Sequence, residues 1–145
     1  MCKTQILVAE SSRAKLFLAE TPTAALIELE DFVQPEGRLH EGDLVSDEPG
    51  SDGGSTGQGR HVIDDRTTAS QMAQISFARQ LAERLETGRN THEFDQLVIV
   101  APPEFLGRLR DELGASLNKL VVEEINKNLV HDSSDVIRSY VSVLR

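Results

Sequence analysis

Residues 96–103 read QLVIVAPP, and this stretch decides the predicted fold. Its first part, Gln96 to Ala101, is a short continuous apolar run, which is typical of a β-strand buried on both faces. Pro102 and Pro103 end the strand, and Pro103 suits the first turn of a following helix. A buried strand that leads directly into a helix favours an α/β protein with parallel strands.

The helix that follows is predicted to run from Pro103 to about Leu113 or Ser116, with an apolar face formed by Phe105, Leu106, Leu109 and Leu113. A second short strand, Lys119 to Glu124, comes after it. Because a helix joins these two strands, we expect them to be parallel neighbours with a right-handed crossover.

The segment before this unit, Ser70 to Thr87, has the strongest helical periodicity in the chain. Its apolar residues recur at three- and four-residue spacing, and they are Met72, Ile75, Ala78, Leu81, Ala82 and Leu85. This spacing predicts an amphipathic helix that packs on the sheet through those residues. Gly88 follows the last turn and is the expected C-cap.

The amino-terminal part predicts three strands joined by short polar turns. They are Gln5 to Glu10, Ala14 to Glu20 and Ala25 to Val33. The third alternates between apolar and polar residues, which predicts a half-buried strand whose inward residues are Ile27, Leu29 and Val33. Turns this short indicate an antiparallel meander.

The carboxyl terminus predicts a final helix, capped by Asp132, Ser133 or Ser134. Its apolar stripe comprises Val136, Ile137, Tyr140, Val141 and Leu144. The complete order is therefore βββαβαβα. The simplest arrangement is a five-stranded mixed sheet with the late pair of strands beside the first strand and the third strand at the far edge. This α/β architecture is the ribonuclease H-like arrangement.

A long loop at about residues 35–69 separates the three early strands from the helical part, and it contains seven of the chain's ten glycines. Loops of this length without secondary structure are uncommon in compact domains, and most are functional or disordered. Glycine density and acidic self-repulsion lead us to predict that residues from about 36 to 60 are mobile.

Composition restricts the function further. A chain of 145 residues fits a single domain, and its formal net charge of -9 argues against sequence-independent binding along a nucleic-acid backbone. Cys2 is the only cysteine, so no internal disulfide can form. The apolar run near the amino terminus is too short for a signal peptide, and no run is long enough to span a membrane. We expect a cytoplasmic protein, while the oligomeric state stays open.

Metal-dependent or cofactor-dependent chemistry is not predicted. Ribonuclease H-like nucleases hold two metals with clustered carboxylates. Glu10, Glu83 and Glu86 are candidates for two of the required positions, but the fourth strand ends at Val100-Ala101-Pro102 without an acid. The histidines have no metal-ligand spacing, and they are His40, His61, His92 and His131.

Arg60, His61 and Arg66 form a small basic group just before the predicted first helix. The free backbone N–H groups of a helix start favour anions, so these residues are a candidate anion site. The alternative is structural, because Arg66 can instead pair with Asp64, Asp65 or other loop acids. The glycine-rich segment GGSTGQGRH (residues 53–61) could cradle a phosphate on its backbone, yet it lacks the P-loop and dinucleotide patterns. The alternative for it is a mobile loop.

Several runs of residues together resemble the bacterial host-attachment protein family. They are RLH (38–40), LVSDEPG (44–50), GRH (59–61), Arg66-Thr67, FARQLA (77–82) and VIVAPPEFLG (98–107). The resemblance extends over almost the whole chain. The family label refers to a proposed role in bacterial attachment to host cells and names no biochemical activity.

That family in turn looks like the middle domain of eukaryotic and archaeal peptide-chain release factors. In those factors a loop before the long helix carries Gly-Gly-Gln, whose glutamine positions water at the ester of peptidyl-tRNA. The nearest match here is Thr56-Gly57-Gln58, so only Gly57 and Gln58 carry over.

The resemblance implies a non-catalytic, translation-associated module that binds the ribosome or tRNA through Gly57, Gln58, Arg60, His61 and Arg66. One alternative is an interaction protein that affects host attachment without a ribosomal role. Another is peptidyl-tRNA hydrolysis through Gln58.

Overall fold

The computed structural model describes the backbone of residues 2–34 and 59–144, and in the second range it describes side chains from residue 69 onward. The strands are β1 (Thr4–Ala9), β2 (Arg13–Ala19), β3 (Ile27–Val33), β4 (Gln96–Val100) and β5 (Val121–Ile125). The helices are α1 (Gly59–Asn90), α2 (Pro103–Glu112), α3 (Ala115–Leu120) and α4 (Ser134–Tyr140), and a 3-10 turn spans Ser142–Leu144.

The strands form one mixed sheet in the order β3-β2-β1-β4-β5. β1 pairs antiparallel with β2, and β2 pairs antiparallel with β3. β1 pairs parallel with β4, and β4 pairs parallel with β5. The predicted five-stranded ribonuclease H-like sheet is therefore confirmed, with the late strands beside β1 and β3 at the far edge.

β1 is the centre of the sheet, and all six of its residues are buried. On one face Leu7 and Ala9 join a core that α1, α2 and α3 cover. On the other face Ile6 and Val8 join a smaller core with α4 and the carboxyl terminus. Burial on both faces explains why the last four residues of the strand, Ile6 to Ala9, are a continuous apolar run rather than an alternating one.

Helix α1 begins at Gly59, well before the predicted start at Ser70. No glycine or proline lies between Gly59 and Gly88, so nothing in the sequence interrupts the helix over that span. Met72, predicted to face inward, is 59% exposed, whereas Phe77 is buried against Phe105 at a ring-centroid distance of 5.9 Å. The inward face of α1 thus begins about one turn later than predicted.

The end of α1 also differs from the prediction, because Gly88 lies inside the helix. The helix continues to Asn90, and His92 takes the left-handed conformation with a φ of 60°. The Glu93 N–H donates to the Gly88 carbonyl at 2.8 Å, and the His92 N–H donates to the Arg89 carbonyl at 3.2 Å. These two bonds form a Schellman cap in which His92 occupies the position that glycine usually takes.

Gly88 has a packing role instead. A Cβ atom at this position would lie 3.1 Å from both Glu93 Oε1 and Phe94 Cε2, and 3.4 Å from Arg84 Nη1. The absent side chain therefore lets the segment after α1 fold back closely against the helix.

A polar network fastens α1 to the sheet beside Gly88. Arg84 Nε donates to Glu30 Oε1 at 2.7 Å, and Arg84 Nη2 donates to Glu93 Oε1 at 3.2 Å. The buried amide of Gln5 also donates to Glu93 Oε1, at 3.3 Å. Burial lowers the pKa of Arg84, but the hydrogen bonds to Glu30 and Glu93 outweigh it, so the pKa of Arg84 is raised overall. The network joins α1 to β1, β3 and the turn before β4.

The predicted inward face of β3 is wrong. Ile27 is 45% exposed, Leu29 and Val33 are each 39% exposed, and the buried residue of the strand is Phe32. A β-bulge breaks the regular alternation of the strand, since Leu16 pairs with Glu30 while the next residue of β2, Phe17, pairs with Glu28, which leaves Leu29 unpaired. A bulge reverses the alternation of side chains beyond it. Edge strands often carry such bulges, which discourage pairing with other chains.

The connection between β4 and β5 contains two helices where one was predicted. α2 ends at Glu112, and α3 begins after Gly114, so the chain can place both Leu113 and Leu117 in the core. Because α3 continues to Leu120, β5 starts at Val121 and not at Lys119.

The last helix begins as predicted, since Ser133 Oγ accepts a hydrogen bond from the Val136 N–H at 3.2 Å. Its predicted stripe is only partly buried. Ile137, Val141 and Leu144 are in the core, whereas Val136 and Tyr140 are 40% and 39% exposed.

We predict opposite changes in stability for two glycine-to-alanine substitutions, although both should increase helix propensity by the same amount. Gly107 lies within α2, and a Cβ atom added there would meet nothing within 4 Å, so Gly107→Ala should raise the free energy of unfolding by about 0.5–1 kcal/mol. Gly88→Ala should lower it by about 1–3 kcal/mol, because Phe94 is buried and Glu93 is held by the network. Urea denaturation of both variants measures the difference, and an equally stabilised Gly88→Ala variant would contradict the packing argument.

Candidate functional site

β3, the last described strand before the predicted loop, ends at one edge of the sheet, the edge formed by the carboxyl ends of the parallel strands. β1 ends there at Ala9 and β4 ends at Val100. In open α/β sheets, ligands bind in the crevice outside these strand ends. We refer to this region as the loop edge.

Gln34 is the last described residue before the loop, and its side chain fastens the loop stem to the body. Its Nε2 donates to the Ser11 carbonyl at 2.9 Å and to the Ala73 carbonyl of α1 at 3.3 Å. Its backbone N–H donates to the Ser12 carbonyl at 2.9 Å. The residue is 3% exposed, and its buried Oε1 has no partner among the described residues. Gln34 therefore joins β3, the β1–β2 turn and α1 at one point.

A carboxylate lies at the same edge. Glu10 follows β1 directly and accepts hydrogen bonds from Ser12 Oγ at 3.4 Å and from Asn128 Nδ2 at 3.5 Å. Asn128 belongs to the connection after β5, so two segments that are far apart in the sequence contribute polar groups here. Such a surface can bind a polar partner through hydrogen bonds.

A cation extends this surface toward the two large helices. Arg108 of α2 donates from Nε to Gln74 Oε1 of α1 at 3.0 Å, and from Nη2 to Glu104 Oε2 at 3.4 Å. The bond to Gln74 holds α1 and α2 side by side near the loop stem, because it joins the two helices directly.

The structure corrects the placement of the predicted basic group. Arg60 and His61 lie in the first turn of α1 and not before it, and Arg66 is two turns into the helix. The first four N–H groups of a helix lack helical partners, so Arg60 and His61 are beside free donors while Arg66 is beyond them. Gly57 and Gln58 lie outside the described residues, as does most of the segment predicted to be mobile.

The carboxylates considered for a metal site do not come together. Glu10 is at the loop edge, whereas Glu83 lies ten residues after Ala73, or about 15 Å farther along α1. Glu86 is paired with Arg89 at 2.6 Å, and this hydrogen bond lowers the pKa of Glu86. Within the described part of the chain, no group of three or more His, Cys, Asp and Glu side chains is placed to hold a metal ion.

Sequence reasoning missed Gln34 as a site residue. A glutamine between an apolar strand and a proline has no signal that separates it from ordinary loop residues, and its burial depends on contacts with residues 11 and 73. Glu10 was considered only as a metal ligand, and its partner Asn128 lies 118 positions away in the sequence.

The sheet order defines the class: an α/β protein of the ribonuclease H-like type. Residues 5–141 match the family described as "Protein required for attachment to host cells", and the chain belongs to that family. The predicted family membership is thereby confirmed.

A curated relative from Rickettsia prowazekii (strain Madrid E), itself an uncharacterized protein, is 32% identical over 82 residues. The alignment covers 55% of this chain and 55% of the relative, so the chain spans about half the length of the curated relative that it matches.

Solved structures share the fold. The crystal structure of an archaeal translation termination factor is similar with a TM-score of 0.52 and 13% sequence identity, over 98% of this chain and 36% of that one. A Ppx/GppA phosphatase from Aquifex aeolicus, in a type II variant, has a TM-score of 0.45 and 14% identity, over 87% of this chain and 36% of that one. The first likeness confirms the predicted relation in fold to part of a release factor. No helix within residues 2–34 and 59–144 is long and apolar enough to cross a membrane.

We predict that the buried position of the Gln34 side chain requires a hydrogen-bond donor, because its amide faces two carbonyl oxygens. Gln34→Glu would place a carboxylate against two carbonyl oxygens, and burial would raise the pKa of that carboxyl above its unfolded value of about 4.3. The folded state would then bind the proton more tightly, so the loss of stability relative to wild type should be small below pH 4. It should grow as the pH rises, by at most about 1.4 kcal/mol per pH unit.

The matched control is Gln80→Glu, which makes the same chemical change at an exposed position of α1. Its effect on the free energy of unfolding should be within about 0.5 kcal/mol. Urea titrations at several pH values measure both variants. If Gln34→Glu changes the free energy of unfolding no more than the control does, the predicted role of the buried Gln34 amide is contradicted.

Proposed function

We propose that this protein is a non-catalytic, cytoplasmic module that associates with the translation apparatus by binding the ribosome or tRNA. The binding surface would comprise the loop edge and the start of α1, with Gly57, Gln58, Arg60, His61 and Arg66 as its contact residues. The observation that carries the proposal is the fold shared with an archaeal translation termination factor over 98% of this chain.

The similarity covers only part of the termination factor. The chain corresponds to 36% of the termination factor, so functions of the rest of that factor are not carried over. A single module that binds without completing termination is the function that fits this coverage.

The position of the loop supports the proposal. Gln34 fixes the end of β3 to the body, and the described chain resumes at Gly59, where α1 begins. The helix is about 20 Å long from Gly59 to Ala73, whose carbonyl accepts the hydrogen bond from Gln34. Ser70 and Met72 are exposed, which leaves the turn of α1 just before Ala73 accessible to a partner.

Electrostatics also supports it. Ribosomes and tRNA present phosphates, and Arg60, His61 and the free N–H groups of the first turn favour an anion. The net charge of -9 opposes broad contact with a polyanion, so binding should be local, weak and sensitive to salt.

The test is co-sedimentation with ribosomes, together with tRNA binding, at low and moderate ionic strength. Wild-type protein should bind at low salt, and a triple variant with Arg60, His61 and Arg66 changed to alanine should lose most of that binding with little change in melting temperature. The control is Arg79→Ala, which removes a 61% exposed arginine from the same helix. It should retain binding and stay folded, because exposed ion pairs contribute little to stability.

Two results would overturn this assignment. One is the absence of ribosome or tRNA binding by the wild type at low salt. The other is a fall in the melting temperature of Arg66→Ala without any anion binding by the wild type, which would make Arg66 a structural partner of the loop acids.

We also predict that the protein does not hydrolyse peptidyl-tRNA. The sequence has Thr56 in place of the first glycine of the release-factor triplet, so the backbone freedom of that triplet is reduced. Incubation of the wild type or of Gln58→Ala with ribosome-bound peptidyl-tRNA should release no peptide above background. Peptide release that disappears in Gln58→Ala would establish the hydrolase alternative.

The family description gives a second candidate, a role in attachment to host cells. We propose that any such role is indirect and follows from altered translation. A triple variant that loses ribosome binding but restores attachment to a deletion strain as well as the wild type would favour an attachment role without a ribosomal one.

A further inference from the structure

An open groove lies at the opposite edge of the sheet from the loop, at the amino ends of β1 and β4. It runs between the carboxyl end of α1 and α3 and has a volume of about 490 Å³. Arg89, His92, Asp95, Ser116 and Lys119 supply its polar groups, and half-buried Leu120 forms an apolar wall. We call this the cationic groove.

The charges of the groove contrast with those of the molecule. The chain carries a net charge of -9, yet Arg89 and Lys119 both face one groove. The Asp95 carboxylate accepts a hydrogen bond from the Lys3 backbone N–H at 2.8 Å and keeps its negative charge, so Arg89, Lys119 and Asp95 together give the lining a net charge of about +1. The Lys119 ammonium has no ion-pair or hydrogen-bond partner among the described residues.

The cationic side of the groove is held in position. Arg89 Nη2 donates to Glu86 Oε2 at 2.6 Å and to Asn90 Oδ1 at 3.2 Å, while another nitrogen of the guanidinium, Nη1, is left for a further acceptor. His92 is fixed by the Schellman cap in a left-handed conformation that glycine occupies more easily. Lys3 Nζ donates to the His92 carbonyl at 3.2 Å, which brings a third cation to the rim of the groove.

We propose that the cationic groove binds the phosphate group of a nucleotide-sized ligand, either a free nucleotide or one nucleotide of an RNA strand. Arg89 and Lys119 would donate charge-assisted hydrogen bonds to the phosphate oxygens, and the Ser116 hydroxyl would donate a third. Leu120 would contact the base or the ribose. The volume falls within the range of small-ligand sites, about 300–1,000 Å³.

This site is independent of the proposed translation role, since it lies at the other end of α1 and shares no residue with the loop edge. A purely structural account of its cations is weaker. The Arg89–Glu86 pair is partly exposed and lies within one helix, so it adds little to stability, and Lys119 has no such pair in the described structure.

The experiment is a titration of the isotope-labelled full chain at low salt, followed by NMR chemical shifts of backbone amides. The probes are adenosine 5′-monophosphate, inorganic phosphate, uncharged adenosine and a short single-stranded RNA. The phosphate-bearing probes should shift the amides of Arg89, Ser116 and Lys119, and adenosine alone should not. Lys119→Ala should weaken the binding of adenosine 5′-monophosphate about fivefold or more.

The matched control is Lys127→Ala, which removes an exposed lysine outside the groove and should leave the affinity unchanged. Adenosine 5′-monophosphate and the single-stranded RNA distinguish the two possible sources of the phosphate. Saturable binding of the mononucleotide supports a free nucleotide, whereas binding detected only with RNA and lost in Lys119→Ala supports a strand. The proposal is overturned if no phosphate-bearing probe shifts the groove amides, or if Lys127→Ala weakens binding as much as Lys119→Ala.

Discussion

The close packing of α1 against the chain that follows it is the constraint on which the rest of the structure depends. Gly88 permits this approach, because any Cβ there would press on Glu93 and Phe94 at 3.1 Å. α1 is the longest element and lies over the central strand, so its position decides where both of its ends are found. At one end the helix extends past the loop edge to Arg60 and His61 in its first turn, and at the other its Schellman cap forms a wall of the cationic groove. One close contact therefore places both candidate sites.

The polar network beside Gly88 fixes the orientation of α1 on the sheet. Apolar contacts between a helix and a sheet tolerate small rotations of the helix, whereas Arg84 must meet Glu30 on β3 and Glu93 after the helix at the same time. Burial of a charged group has a desolvation cost, and such pairs contribute more to a unique arrangement than to net stability. The raised pKa of Arg84 is consistent with a guanidinium whose hydrogen bonds more than offset its burial. The amide of Gln34 restricts α1 in the same way at the loop edge.

Much of the fold could be predicted from the sequence, because its central strands have one physical explanation. A continuous apolar run such as that of β1 is compatible with burial on both faces and with little else. The predicted inward face of β3 was wrong. A bulge at Leu29 reverses the alternation of side chains along the strand, and the bulge depends on how β3 pairs with β2. The start of α1 was missed because glycine density upstream suggested a loop, although no helix breaker follows Gly59 before Gly88. Gln34 and the cationic groove could not be found, because their residues meet only after the chain has folded.

Fold similarity and site chemistry carry different weight for function. The termination factor and this chain share a sheet and helices at 13% identity, which shows that the backbone arrangement survives nearly complete replacement of side chains. Function depends on those side chains, so the shared fold alone cannot transmit an activity. Although the chain is acidic overall, small cationic groups lie near both ends of α1, with Arg60 near its start and Arg89 near its end. Repulsion by the remaining acids would prevent a polyanion from lying along the surface, and only phosphates that reach these groups would be bound. Selective, salt-sensitive contact at a few points is the mode of recognition that such a charge distribution permits.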